Sequence, residues 1–167
     1  MADKYLYNNA GVITEREGLA TSAGAGSAGK IPALDGAGRL SDTMMPVGVT
    51  PEVATIQASE NIAAGDFVNV HNSGGARIRK ADATTAGKEA HGFCLAAILS
   101  GASGSVYFEG SNTAVSGQTP GPVYLLATAG TAGATAPSAS GNVVQWIGVA
   151  TSATSINFEP QPHVVLA

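Results

Sequence analysis

Between Ser22 and Val49 the chain reads SAGAGSAGKIPALDGAGRLSDTMMPVGV, with Ile31, Leu34 and Leu40 as the large apolar residues ahead of Met44-Met45-Pro46. So few large side chains cannot offset the entropy of ordering that much backbone, and the stretch needs a surface supplied from elsewhere. From Thr55 onward the pattern changes to short apolar runs separated by Gly, Asn, Ser and Pro. The chain therefore divides into an extended Gly/Ala-rich N-terminal arm, residues 1–54, and a β domain, residues 55–167.

In the second part, strands are expected at 55–58, 67–71, 76–80, 91–97, 105–109, 123–126, 143–149 and 155–159, with a short one at 164–166. Asn72-Ser-Gly-Gly75 should join the second and third as a hairpin. Helical periodicity lasts no more than one turn. About eight short strands indicate an all-β fold, a small antiparallel sandwich or barrel. Residues 127–141, ATAGTAGATAPSASG, carry no large anchor and read as a long surface hairpin or tip.

The arm offers less. Tyr5-Leu6-Tyr7 and Val12-Ile13-Thr14 suggest a short strand or hook ended by Asn8-Asn9 and Gly11, and Glu15-Arg16-Glu17 could start a helical turn. Residues 22–29 have linker composition. Asp35-Gly36 is a turn signal, and Ser41 or Asp42 can cap one helical turn before Pro46. Leu34, Leu40, Met44 and Met45 stand as isolated anchors, each able to fill a shallow pocket on a neighbour.

Charged residues make up only 12% of the chain, about half the usual share, so part of the surface is expected to be covered by partners. Net charge is −4, and each part holds four basic and six acidic residues. No basic stripe exists to follow a phosphate backbone, so nucleic acid is not an expected partner; the one basic cluster, Arg77-Ile78-Arg79-Lys80, reads as a β edge. No apolar run is long enough to span a membrane, no secretory signal is visible, and the lone Cys94 lies in an apolar run as a buried free thiol.

Sites for chemistry are sparse. His71, His91 and His163 lack neighbours at metal-ligand spacing, apart from Glu89 and Cys94 near His91, and no metal or cofactor is expected. On a strand, His91 and Cys94 point to opposite faces, which disfavours a nucleophile pair. Gly24-Ala-Gly-Ser-Ala-Gly29 matches the letters of a dinucleotide fingerprint without the strand and helix it requires. Glu109 and Glu159 end predicted strands, as many surface acids do. The expectation is a protein that is not an enzyme and has no small-molecule substrate.

Two segments carry a resemblance. Gly29-Lys-Ile-Pro-Ala-Leu-Asp-Gly-Ala-Gly-Arg-Leu-Ser-Asp-Thr-Met-Met-Pro46 is similar to a GKI-x-ALD-x-x-G-x-L-D-x-S-x-LP segment common in tail fibres and head-attached proteins of tailed phages. Ser41-Asp42-Thr43 replaces the commoner Asp-x-Ser order, and Met45 takes the Leu position. With Ala58–Asn69, Arg79–Phe93 and the end from Phe158 to Ala167, the chain resembles small head decoration (capsid cement) proteins of those phages. That resemblance implies a β domain on the outer capsid surface of a virion, made in the host cytoplasm and clustered as a homotrimer. It also implies an arm across the major capsid protein, with Leu34, Leu40, Met44 and Met45 as the contacts expected here, and no catalysis. The alternative is a phage fibre or receptor-binding module that grips a host glycan through the 127–141 loop and Tyr107, Tyr124 or Trp146. In strands, those aromatics are better used in the core.

Overall fold

The computed structural model describes residues 4–45 and 52–167. Its contacts divide the chain into two units, Met1–Thr50 and Pro51–Ala167.

The first unit opens with an antiparallel hairpin of β1 (Lys4–Asn9) and β2 (Val12–Glu17). Ala10 and Gly11 turn the chain with φ of 51° and 93°, the paired left-handed conformation of a two-residue type I′ loop. Asn8 Oδ1 accepts the Gly11 N–H at 2.8 Å. Glu15-Arg16-Glu17 continues the strand instead of starting a helix. Cross-strand partners account for this: Lys4 Nζ meets Glu15 at 3.0 Å, and the Arg16 guanidinium lies 3.8 Å from the Tyr7 ring centroid.

Beyond the hairpin the arm doubles back on itself and is less extended than expected. Leu19 donates to the Ile31 carbonyl at 3.0 Å and accepts from Ala33 N–H at 2.7 Å, and a Cβ on Gly18 would lie 2.9 Å from that of Ala33. Two single 3-10 turns follow, Gly24–Ser27 and Asp42–Met44. Ser41 caps the second, its Oγ accepting the Thr43 N–H at 3.3 Å. No residue from 4 to 45 is buried.

In the second unit a closed barrel joins β3 (Val53–Ala58), β4 (Phe67–Asn72), β5 (Ala76–Lys80), β6 (Gly92–Phe93) and β7 (Ser103–Tyr107) in the order β3-β5-β4-β6-β7. The β4–β5 hairpin turns through Asn72–Gly75, as the sequence indicates, and carries β5 back alongside β3 in parallel register. That parallel pair departs from a purely antiparallel design, and it completes a barrel with no open edge. A second sheet contains β8 (Gly110–Asn112), β9 (Gly121–Leu125), β10 (Ala132–Gly133), β12 (Trp146–Ser152) and β13 (Ser155–Phe158), in the order β10-β9-β12-β13-β8. The strands β11 (Val143–Val144) and β14 (Val164–Val165) pair with each other. The chain is all-β.

Alternation along β4 explains the two cores. Val68 points into the barrel with Ile78, Cys94, Ile98 and Val106, while Phe67 points out toward the sheet. There Phe67 and Phe93 meet Phe158 of β13, with ring centroids 5.5 and 5.6 Å apart. Tyr107 stacks on Phe93 at 5.4 Å. These aromatic contacts join barrel to sheet.

Two expectations change. The apolar run 91–97 forms only the two-residue β6. Past Phe93, Cys94 spends its N–H on the Asp66 carbonyl and its carbonyl on Gly65 N–H, so Cys94 is buried in irregular chain while Ala96 and Ala97 come to the surface. The 127–141 segment does turn back as a hairpin, but its turn is tied into the unit instead of standing out as a tip. Gly130 accepts from Phe67 N–H at 2.9 Å and donates to Ala81 at 2.7 Å, and Ala132–Gly133 adds a strand edge to β9. Its small residues make this possible, since a Cβ on Gly130 would sit 2.7 Å from Asp66 Oδ1.

Candidate interaction surface

The Asp35 turn organises the anchor region. Asp35 Oδ1 accepts N–H groups from both Ala37 and Arg39 at 2.9 Å, and the Asp35 N–H reaches the Arg39 carbonyl at 2.8 Å. These backbone N–H bonds, with the Arg39 guanidinium 3.6 Å away, hold the Asp35 carboxyl below its ordinary range. Closing this loop brings Leu34 and Leu40 to its two ends. Leu34 is 62% exposed, Leu40 43% and Met45 39%. Met44, inside the 3-10 turn, is half-buried. All four predicted anchors thus lie outside any hydrophobic core.

Three further large apolar side chains, Leu6, Val12 and Ile13, are exposed by 74, 63 and 61%. The signal was present: Tyr5-Leu6-Tyr7 and Val12-Ile13-Thr14 put large side chains on both faces of a hairpin in which no described residue is buried.

In the second unit, polar groups are committed to structure. The Ser59 hydroxyl donates to the Ile78 carbonyl at 2.9 Å, so at its 3.0 Å contact with His71 it is left to accept from Nε2. An activated serine would need the opposite polarity. His91 Nδ1 accepts the Val70 N–H at 3.1 Å. Burial works to raise the Glu89 carboxyl, but the Gly87 and Glu89 N–H groups and nearby His163 and His91 outweigh it, leaving a lowered pKa. His163 Nε2 lies 3.2 Å from Glu89 Oε1. Among the described residues, no three His, Cys, Asp or Glu side chains are placed to share a metal ion. Within the basic run, Arg79 donates to Asn69 and Gly87, and Lys80 pairs with Asp66 at 3.1 Å. Cys94 is fully buried, and burial, reinforced by Asp66, pushes its thiol up to about 11.

No protein-family model matches the chain, and no curated protein does. Among solved structures it is similar to the N base of head fiber gp8.5 of bacteriophage phi29. That similarity has a TM-score of 0.44 and 15% identity, over 68% of this chain and all of the other.

Proposed function

We propose that this chain is a structural protein of a tailed-phage virion, a head decoration protein that binds the outer capsid surface and stabilises junctions between capsomers. The observation that carries the reading is the first unit's lack of any buried residue from 4 to 45, together with the exposure of Leu34, Leu40 and Met45. A segment with no buried core of its own gains stability by laying those side chains on another protein. The sequence resemblance of 29–46 and the three later segments supplies the partner, the major capsid protein. In this reading the β unit sits over capsomer junctions as a homotrimer, and the arm crosses neighbouring capsid subunits with Leu34, Leu40, Met44 and Met45 as anchors. No catalytic step is required.

The fibre reading makes a different demand on the 127–141 segment, which would have to be free to grip a glycan. Its attachment at Gly130 and at Ala132–Gly133 favours a structural use. Antibody or gold labelling of virions separates the two. Label over the whole head supports decoration; label confined to the tail tip overturns it.

A further inference from the structure

We propose that the β1–β2 hairpin pairs edge to edge with the hairpin of a second copy of this chain, β1 against β1, forming a four-stranded antiparallel sheet across a two-fold axis. In a type I′ hairpin the residues flanking the loop form a hydrogen-bonded pair. Asn9 and Val12 are that pair here, so alternation directs the N–H and C=O groups of Tyr7 and Tyr5 toward β2 and those of Lys4, Leu6 and Asn8 outward. Among the described residues, no backbone hydrogen bond uses the outward groups. A lone two-stranded sheet is only marginally stable in water, and a third and fourth strand would make it a sheet of ordinary size.

Charge selects the edge and the occupant. The outer strand β2 ends in Glu15-Arg16-Glu17, the pattern that protects an edge from self-pairing, whereas Tyr5-Leu6-Tyr7-Asn8-Asn9 carries no charge. The β1 edge is also self-complementary. Among registers that oppose outward residues, the one centred on Leu6 uses the whole of Lys4–Asn8. It sets Leu6 against its own counterpart and Lys4 against Asn8, with no like charges opposed. Tyr5 then faces Tyr7 of the other copy at the closer, non-hydrogen-bonded sites, where aromatic pairs stabilise sheets. On the opposite face the two Leu6 side chains meet at the axis with Ile13 beside them, covering the most exposed large apolar residue described in this chain. The pairing uses residues 4–17, distinct from the anchors at 34–45, and does not depend on the virion reading.

The test is disulfide trapping in the purified full-length protein. In the proposed register the Cα atoms of the two residues 6 lie about 5.5 Å apart, within reach of a disulfide. Residues 15 lie three strand spacings apart, about 14 Å, and are out of reach. Under mild oxidation, Leu6→Cys should give at least tenfold more covalent dimer than Glu15→Cys, with mass spectrometry locating the bond at residue 6. Buried Cys94 stays silent in both. Leu6→Pro removes an outward N–H without touching the β1–β2 ladder, so it should lower the sedimenting mass relative to wild type. Equal trapping from both cysteine variants, no trapping from Leu6→Cys, or an unchanged mass for Leu6→Pro would overturn the pairing. No capsid takes part in these measurements, so they fail or succeed separately from the decoration reading.

Discussion

Gln145 is buried at a junction where three segments meet, and its replacement should be among the most damaging single polar changes in the β unit. Its Oε1 accepts the Ala90 N–H at 2.8 Å, while Nε2 donates to the carbonyls of Ala90 at 3.0 Å and Gln161 at 3.3 Å. Gln145→Leu keeps most of the volume but strands both backbone groups of buried Ala90; the exposed Gln161 carbonyl can turn to water. A buried polar group left unsatisfied costs about 1–3 kcal/mol, so two of them amount to about 2–6 kcal/mol. For a unit of this size that lowers Tm by roughly 8–24 °C. Gln145→Glu sharpens the test. An ionised carboxylate can still accept from Ala90 N–H, but it opposes two carbonyl oxygens and cannot donate, so its folded-state pKa is raised. The variant should approach wild-type stability below the unfolded-state pKa of about 4.3 and lose it as pH rises through the higher folded value. Urea melts of both variants at pH 4 and pH 7 measure this. A loss below about 1 kcal/mol for Gln145→Leu, or wild-type stability of Gln145→Glu at pH 7, would refute the reasoning.

Four further outcomes are expected. Asp82 and Glu89 both have lowered pKa values: burial opposes the shift, but the Thr84 and Lys88 contacts of Asp82 and the Gly87 N–H and histidines around Glu89 outweigh it. Their contribution is present above the unfolded values of 3.8 and 4.5 and is lost as pH falls through the lower folded values; acid titration of Asp82→Asn/Glu89→Gln should show a shallower loss than wild type. Gly148→Ala should cost on the order of 3 kcal/mol by denaturant melt, because φ is +141° and the new Cβ would lie 2.0 Å from the Asn157 carbonyl oxygen. Cys94 should resist alkylation at pH 8 until the protein unfolds, with quantitative labelling of the native protein as the contrary result. Leu34→Ser and Leu40→Ser should leave the melting of the β unit within about 0.5 kcal/mol of wild type while each weakens binding to heads by about 5- to 30-fold, as expected for about 1–2 kcal/mol of apolar burial.

Much of the β unit was readable where turn chemistry and alternation coincide. Ala76–Lys80 is a strand with the expected ends, and the Asn72–Gly75 hairpin follows from its residues. What escaped was set by tertiary context. Gly110–Asn112 and Ala132–Gly133 have no strand propensity and are strands because neighbours offer an edge. The apolar run through Cys94 announces burial, which an irregular segment can satisfy as well as a strand. The parallel β3–β5 pair depends on barrel closure, which no local pattern records. In the arm, residue type alone suggested Leu34, Leu40, Met44 and Met45, because nothing nearby could bury them. The strand or hook expected at 5–14 is a two-residue hairpin, which the residues do not announce because the first loop position is Ala10, a non-glycine with positive φ that no turn rule favours.

The most direct measurement is head binding by a protein lacking residues 1–46, with folding of the remainder checked by circular dichroism and occupancy on expanded heads counted by cosedimentation. If the arm is the tether, the truncated chain stays folded and leaves the heads bare. A truncated protein that saturates heads with unchanged affinity would contradict it.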